Sequence, residues 1–251
     1  MDGFIMQGVE ILPCYDFQIA IPQGDWMYDD LRSTGEYEPY VIRPFLEKVA
    51  NRKVLDVGAN VGVFSIAASK TARSVQCVEA SPENAKFLAC NATMNGADNI
   101  TIFPVAASDR TGMATFHRSQ HSNKTLREIA ITPDTISQID VVFSTTLDAL
   151  VEEADVIKID IEGREFAALK GASRLISQRP VVFLEFSPVF MRHGCDVDAE
   201  TFWTLFSDYQ ITILHRDMSQ ETTTTDRLMQ VWADYMSRNV THVDLMLTPT
   251  A

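Results

Sequence analysis

The chain lacks any apolar run approaching the length that spans a bilayer. Its N-terminal residues show no basic stretch ahead of a long apolar core, so no secretory leader is expected. Cysteine is scarce: Cys14, Cys77, Cys90 and Cys195 never form a C-x-x-C pair, which argues against a zinc site and supplies no disulfide framework. Cys77 falls in an apolar strand pattern and Cys90 in a helical one, as reduced thiols do. Basic residues are few, 21 Lys and Arg against 34 Asp and Glu, for a formal net charge of −13. No Lys or Arg run offsets this, and polyphosphate binding draws on basic patches, so nucleic acid is expected to be excluded as a partner. Repeats and low-complexity tracts are missing as well; the threonines at 222–225 read as a short polar loop.

What is present is the composition of an ordinary globular protein. Of 251 residues, 46% are hydrophobic and 22% charged, enough to bury a large core without metal or disulfide. A cytoplasmic location is the default expectation. Residues 1–36 read as an irregular extension with short strand-like pieces such as 17–21. Residues 37–251 read as one domain, entered by a helix over 37–50.

From there strands and helices alternate. Apolar strands are expected at 54–57, 74–78, 100–103, 155–161 and 181–186. Helices are expected at 62–71, 82–94 and 163–178. Ser81 and Pro82 start the second of these helices as N-cap and first residue, and Asn95-Gly96 ends it. Segments 211–214 and 243–247 complete the set as a sixth and a seventh strand. This alternation implies an α/β fold, Rossmann-like: a seven-stranded, mostly parallel, doubly wound sheet with helices on both faces. Ligands of such sheets bind at the carboxyl ends of the strands, so the residues just beyond each strand carry the functional reading.

The first of these loops is Asp56-Val57-Gly58-Ala59-Asn60-Val61-Gly62. Gly58 permits a sharp turn, Gly62 a close helix start, and Asn60 tolerates positive φ where a middle glycine is usual. Asp56 suits an ammonium group and not a pyrophosphate, which prefers bare N–H groups. Glu79, with Ala80 beside it, ends the second strand. An acid about 20 residues beyond a glycine loop suits a ribose diol. Beyond the third strand, Pro104–Asp109 offers small residues, with Ala107 and Ser108 placed to border an adenine ring. The fourth strand reads Lys158-Ile159-Asp160-Ile161-Glu162-Gly163. Alternation puts Lys158 and Asp160 on one face. A Lys inside a central strand needs carboxylates around it, and Asp56 and Glu185 on the flanking strands are the expected partners.

Together these residues resemble the FkbM-type methyltransferases. The matching stretches are VLDVGANVGVFSI from Val54, VEASPEN from Val78, PVAASDRTG from Pro104, TTLDAL from Thr145, IKIDIEGREFAALKGA from Ile157 and VVFLEFSP from Val181, spanning about 37–190 in the family's order. The resemblance implies a class I methyltransferase fold over 37–251 with S-adenosylmethionine as donor. It implies methyl transfer to oxygen, commonly on a hydroxylated sugar, glycolipid or natural product. By position Asp56, Gly58, Asn60 and Gly62 would line the methionine part, Glu79 the ribose, and Ala107 and Ser108 the adenine. Many members have Glu-Pro after the second strand, where this chain has Glu79-Ala80-Ser81-Pro82. Segments 1–35 and 191–251 lie outside the matching stretches and are expected to shape the acceptor pocket.

An alcohol acceptor must lose its proton as it attacks. Asp160 is the first candidate base, with Glu162 and His117 behind it. His117 and His121 lie in a polar segment, 116–126, that would cover the acceptor. No metal is expected, because Lys158 already offsets the Asp160, Glu162 and Glu185 carboxylates. Three other readings compete. An NAD-dependent oxidoreductase would leave Asp56 and the Lys-x-Asp-x-Glu strand without a task. A non-catalytic S-adenosylmethionine-binding module would keep the donor residues without turnover. Methyl transfer to an amine or amide nitrogen is not separated from oxygen transfer by these motifs.

Overall fold

The computed structural model describes residues 8–117, 132–133, 136, 139–238 and 242–250, and only the backbone of 116, 117 and 238. The N-terminal part is not irregular. Strands β1 (Val9–Cys14) and β2 (Phe17–Pro22) form an antiparallel hairpin, followed by helix α1 (Trp26–Thr34). Leu12, Cys14, Phe17, Ile19 and Ile21 alternate inward and join the main core, while Val9 and Ile11 face outward.

Helix α2 (Pro39–Val49) then leads to β3 (Lys53–Val57), α3 (Val63–Ser69), β4 (Ser74–Val78), α4 (Pro82–Met94) and β5 (Ile100–Phe103). Ser81 caps α4 by accepting from Asn84 N at 3.3 Å, as its sequence predicts. Next comes a small separate sheet of β6 (Ala106–Ala107), β7 (Gly112–His117) and β8 (Ile139–Thr145), where no strand was expected. The chain continues through α5 (Leu147–Leu150), β9 (Val156–Ile159), α6 (Glu165–Lys170), α7 (Ser173–Ser177), β10 (Val181–Phe186), α8 (Pro188–Cys195) and α9 (Ala199–Trp203). It ends with β11 (Tyr209–Leu214), β12 (Gln220–Thr223), α10 (Thr225–Arg238) and β13 (Val243–Pro249).

The helix expected at 163–178 is two short ones. Gly171 sits where a Cβ would lie 2.1 Å from the Ser108 carbonyl oxygen, so the chain is pinched there. Asp148 then starts α7 afresh, accepting from Arg174 N at 2.8 Å and Leu175 N at 3.0 Å.

The main sheet has eight strands in the order β12-β11-β13-β10-β9-β3-β4-β5. Strands β10, β9, β3, β4 and β5 are mutually parallel, and β13 inserts antiparallel between β10 and β11. Seven of the eight correspond to those expected. The addition is β12, a polar strand whose Gln220-Glu221-Thr222-Thr223 carries no apolar signal and pairs only with β11. Apolar clusters cover both faces of the sheet, one under α2, α3 and α4 and the other under α6 to α10. No helix among the described residues is long and apolar enough to cross a membrane.

One side chain ties the hairpin to the sheet. Asn91 on α4 accepts from Ala20 N at 2.8 Å and donates to Ala20 O at 3.1 Å, imitating a strand neighbour for β2. It also donates to Val61 O at 2.9 Å, in the loop after β3. Asn95, one turn on, repeats the pairing with Gln18 N and O at 3.0 and 2.7 Å. Asn91 is fully buried, so its loss strands polar backbone away from water. Asn91→Ala should cost about 3 kcal/mol, read as a lower urea midpoint with unchanged slope, whereas the exposed-side Asn95→Ala should cost about 1 kcal/mol.

Candidate active site

A cavity of about 910 Å³ opens at the carboxyl ends of β3, β4, β9 and β10. Its floor is Asp56, at the second-last position of β3, 1% exposed. Asp56 Oδ2 accepts from Ser65 Oγ at 2.6 Å, while Oδ1 is buried with no hydrogen-bond partner among the described residues. Burial, together with Asp160, raises its pKa against the opposing pull of Lys158 and Ser65.

Gly58 at φ 83° carries the chain over this floor. A Cβ there would meet the Asp160 carbonyl oxygen at 1.8 Å, so the glycine serves the close approach of two strand tips as much as the turn. Asn60 adopts φ 52°, the positive value its type tolerates. Gly62 begins α3 but is not part of the cavity wall. Glu79, buried at the tip of β4, accepts from Asn60 N at 2.8 Å and from Ser81 N at 2.7 Å. Ala80, Asn84, Val105, Ala106 and Ala107 complete this end. Ser108 is not in the cavity wall; its amide donates to Thr145 O at 2.9 Å in the small sheet.

The other end is electrostatically unusual. Lys158 stands opposite Asp56 in the β3–β9 register and is buried. Its Nζ lies 3.0 Å from Asp160 Oδ2 and 4.6 Å from the centre of the Phe64 ring. Burial alone would lower its pKa, but Asp160, Asp56 and Glu38 outweigh burial and raise it, so the ammonium is permanent. The expected Lys158 network therefore exists, with a changed membership. Asp160 is the direct partner and Asp56 acts at longer range. Glu185 pairs instead with His242, Oε1 to Nδ1 at 3.4 Å. Glu162, at φ 56°, lines the cavity but does not hold the helix start. That task falls to Glu165, whose Oε1 accepts from Ile161 N at 3.1 Å and Gly163 N at 3.0 Å.

Several lining residues were missed by sequence reasoning. Trp26, Asp29 and Asp30 come from α1, and Tyr37, Glu38 and Tyr40 from the start of α2. Phe190, Arg216 and His242 come from the C-terminal half. A signal existed for His242: an antiparallel strand starts where its parallel neighbours end, so the residue before β13 reaches the same rim. The His117 side chain and residues 118–131, which include His121 and most of the expected covering segment, lie outside the described residues. Oxygens of Asp160, Glu162 and Glu185 lie within 4.8 Å of one another. Lys158 already bonds Asp160, and no metal is assigned there.

An open sheet of this order, with an acid-floored glycine loop and a second acid on the next strand, defines the class I methyltransferase fold. Residues 56–220 match the family model of the methyltransferase FkbM domain. That span is more than half of the chain, and the chain belongs to this family, an enzyme of the S-adenosylmethionine-dependent methyltransferase class. No curated protein matches it. Among solved structures it is similar to the ribosomal protein L11 methylase of Lactobacillus delbrueckii subsp. bulgaricus, at 15% identity over 84% of this chain and 78% of that one, TM-score 0.43. It is also similar to precorrin-6y C5,15-methyltransferase of Geobacter metallireducens GS-15, at 15% identity over 84% and 88%, TM-score 0.43. A third is Pyrococcus abyssi tRNA (uracil-54, C5)-methyltransferase in complex with S-adenosyl-L-homocysteine, at 16% identity over 96% of this chain and 44% of that one, TM-score 0.48.

The last of these corrects one expectation. A protein of the same fold is named for tRNA, so nucleic acid is not excluded as a partner. The physical reason is that a net charge of −13 is a sum over the whole surface and does not fix the field at one cavity mouth.

Two outcomes follow from the charge balance. Lys158→Met leaves the acids without their cation and should cost about 3–5 kcal/mol in urea unfolding. Stability should also fall as pH rises from 5 to 8. Burial first, then neighbouring charge, pushes Asp244 up to about 6; burial pushes Glu165 up to about 7 against its backbone hydrogen bonds. Burial and neighbouring acids also raise Glu38 and Glu185. In that window the folded state holds protons that the unfolded chain has released, so rising pH favours unfolding. His242, lowered by burial and Arg216, has the opposite sign but is one group against several. Scanning calorimetry at pH 5, 6, 7 and 8 should give a falling Tm; a rise would refute this charge balance.

Proposed function

We propose that the cavity binds S-adenosylmethionine and transfers its methyl group to a hydroxyl oxygen of a sugar or natural-product acceptor. The observation that carries donor binding is the Asp56 Oδ1 atom, buried at the cavity floor without a partner. A buried acceptor left unsatisfied costs about 1–3 kcal/mol, and an ammonium group brings the donor hydrogen it lacks. Glu79 lines the same cavity with a carboxylate of the type that accepts from a ribose diol, and Ala80, Ala106 and Ala107 leave room for a flat ring beyond it. When bound, the donor supplies a methyl group already activated on a sulfonium centre.

The chain's own contribution is placement. Lys158 holds Asp160, and Glu165 holds the loop from Ile161 to Gly163, so the acids at the transfer end are fixed before any ligand arrives. The acceptor side combines Trp26, Tyr37, Tyr40 and Phe190 with Asp29, Asp30 and Glu162. Aromatic faces stack on a sugar ring, and carboxylates accept from its hydroxyls. Nitrogen acceptors and a donor-binding module without turnover are the alternatives that the same residues support.

Calorimetric titration with S-adenosylmethionine and, separately, NAD tests the donor. The sulfonium donor alone should bind, about 10-fold more weakly in Asp56→Asn and undetectably in Glu79→Ala, both checked for native circular dichroism. NAD binding alone would overturn the donor assignment. Radiolabelled methyl transfer to methyl α-D-glucopyranoside, methyl α-L-rhamnopyranoside, methyl glucosaminide and bulk tRNA tests the acceptor. Label on the glycoside oxygens supports the proposal. Label on nitrogen, on tRNA or on nothing would replace it with the corresponding alternative.

A further inference from the structure

The geometry points to His242, oriented by Glu185, as the group that takes the acceptor's proton, in place of Asp160. This rests on the methyl-transfer reading above and assigns a residue to its proton-transfer step. Asp160 is poorly suited to that step. Its Oδ2 accepts from the buried Lys158 ammonium at 3.0 Å, so that oxygen is already occupied.

His242 has what Asp160 lacks. It sits just before β13, on the cavity wall beside Glu162 and Glu185. Its Nδ1 lies 3.4 Å from Glu185 Oε1, and its Nε2 lies 3.5 Å from Arg216 Nη2. A guanidinium only donates, so Nε2 is the acceptor nitrogen and Nδ1 carries the hydrogen on the side of Glu185, whose Oε1 can accept in either protonation state. That tautomer directs the Nε2 lone pair at the cavity side. Arg216 is exposed and is readily displaced by an arriving hydroxyl.

The charged groups around the ring favour its neutral form. Burial and Arg216, from the β11–β12 connection, hold the imidazole below its ordinary pKa, and Asp160 at the β9 tip opposes them. Glu185 of β10 and Asp244 of β13 face each other in register; Glu38 and Tyr40 of α2 lie beyond, and burial first raises the pKa of all four. Glu162 and Glu165 contribute to that rise at Glu185. At neutral pH His242 is therefore a free base. As the acceptor oxygen bonds to the donor methyl carbon, the carbon–sulfur bond breaks and its electron pair stays on sulfur. The hydroxyl proton passes to Nε2 and from there to solvent.

Nitrogen-15 imidazole NMR on the protein saturated with S-adenosylhomocysteine reads the tautomer and charge directly, with His242→Gln assigning the resonance. The expected result is an Nδ1–H tautomer that titrates below the ordinary imidazole value of 6.5. An Nε2–H tautomer, or an imidazolium at pH 7, overturns the proposal. On the glycoside that wild type methylates, His242→Gln should lose roughly 100-fold in kcat and the acid limb of its pH profile, with donor Kd within about twofold. Turnover within threefold of wild type overturns it, as does an acid limb that survives in His242→Gln and disappears in Asp160→Asn. Glu185→Gln provides a second variant: a moved His242 midpoint and about 10-fold lower kcat at constant KM support the orienting role, and no change in either overturns it. Failure of wild type to bind donor sinks the methyl-transfer reading itself. Failure confined to His242→Gln turnover, with donor bound, belongs to the proton-transfer step alone.

Discussion

A buried ammonium at the centre of a parallel sheet organises this protein. Lys158 lies in β9 between β3 and β10, where a charge is costly unless opposite charge surrounds it. The sheet brings that charge from three directions: Asp160 from the same strand, Asp56 from the facing register position, and Glu38 from the start of α2. Around it, burial first and neighbouring acids second raise the pKa of Glu38, Glu165, Glu185 and Asp244. A sulfonium donor with its own ammonium is a ligand of the matching sign.

The backbone around the site is arranged to keep these groups in place. The tips of β3 and β9 come so close at Gly58 that no side chain fits between them. The turn from Ile161 to Gly163 runs through two residues of positive φ, and the Glu165 carboxylate holds it by two amide hydrogen bonds. Asn91 binds the loop after β3 to the N-terminal hairpin. The hairpin in turn precedes α1, which supplies Trp26 and two acids to the cavity wall. Strand tips thus form one end of the cavity wall, and the added N-terminal elements form part of the other.

The central sheet was legible because its signals are local. Short segments rich in Val, Ile, Phe and Cys mark β4, β5 and β10, and Ser81-Pro82 and Asn95-Gly96 bracket α4. The positions of Asp56 and Glu79 were legible because strand ends can be counted. Elements set by tertiary partners were not. The β1–β2 hairpin turns at Tyr15, φ 53°, without the Asn-Gly or Asp-Gly that would announce it. The polar strand β12 exists only as a neighbour of β11. The break between α6 and α7 is imposed by the Ser108 carbonyl and by Asp148, both distant in sequence. Glu185 was read as a partner of Lys158 because it is an acid on the next strand. The antiparallel insertion of β13 gives it a histidine instead.

That insertion has a chemical consequence. In a purely parallel sheet every residue at the ligand-bearing rim follows a strand. Reversing one strand adds the residue that precedes it, and here that residue is His242, beside the one acid of β10 that reaches the rim. Asp160, just beyond β9, is bonded to Lys158, and Glu165 of α6 to the turn between them. A neutral imidazole beside Glu185 would receive a proton without adding negative charge to the rim. The arrangement follows from the topology: parallel strands bring Asp56, Glu79 and Glu185 to the rim, and the reversed strand adds His242 beside them.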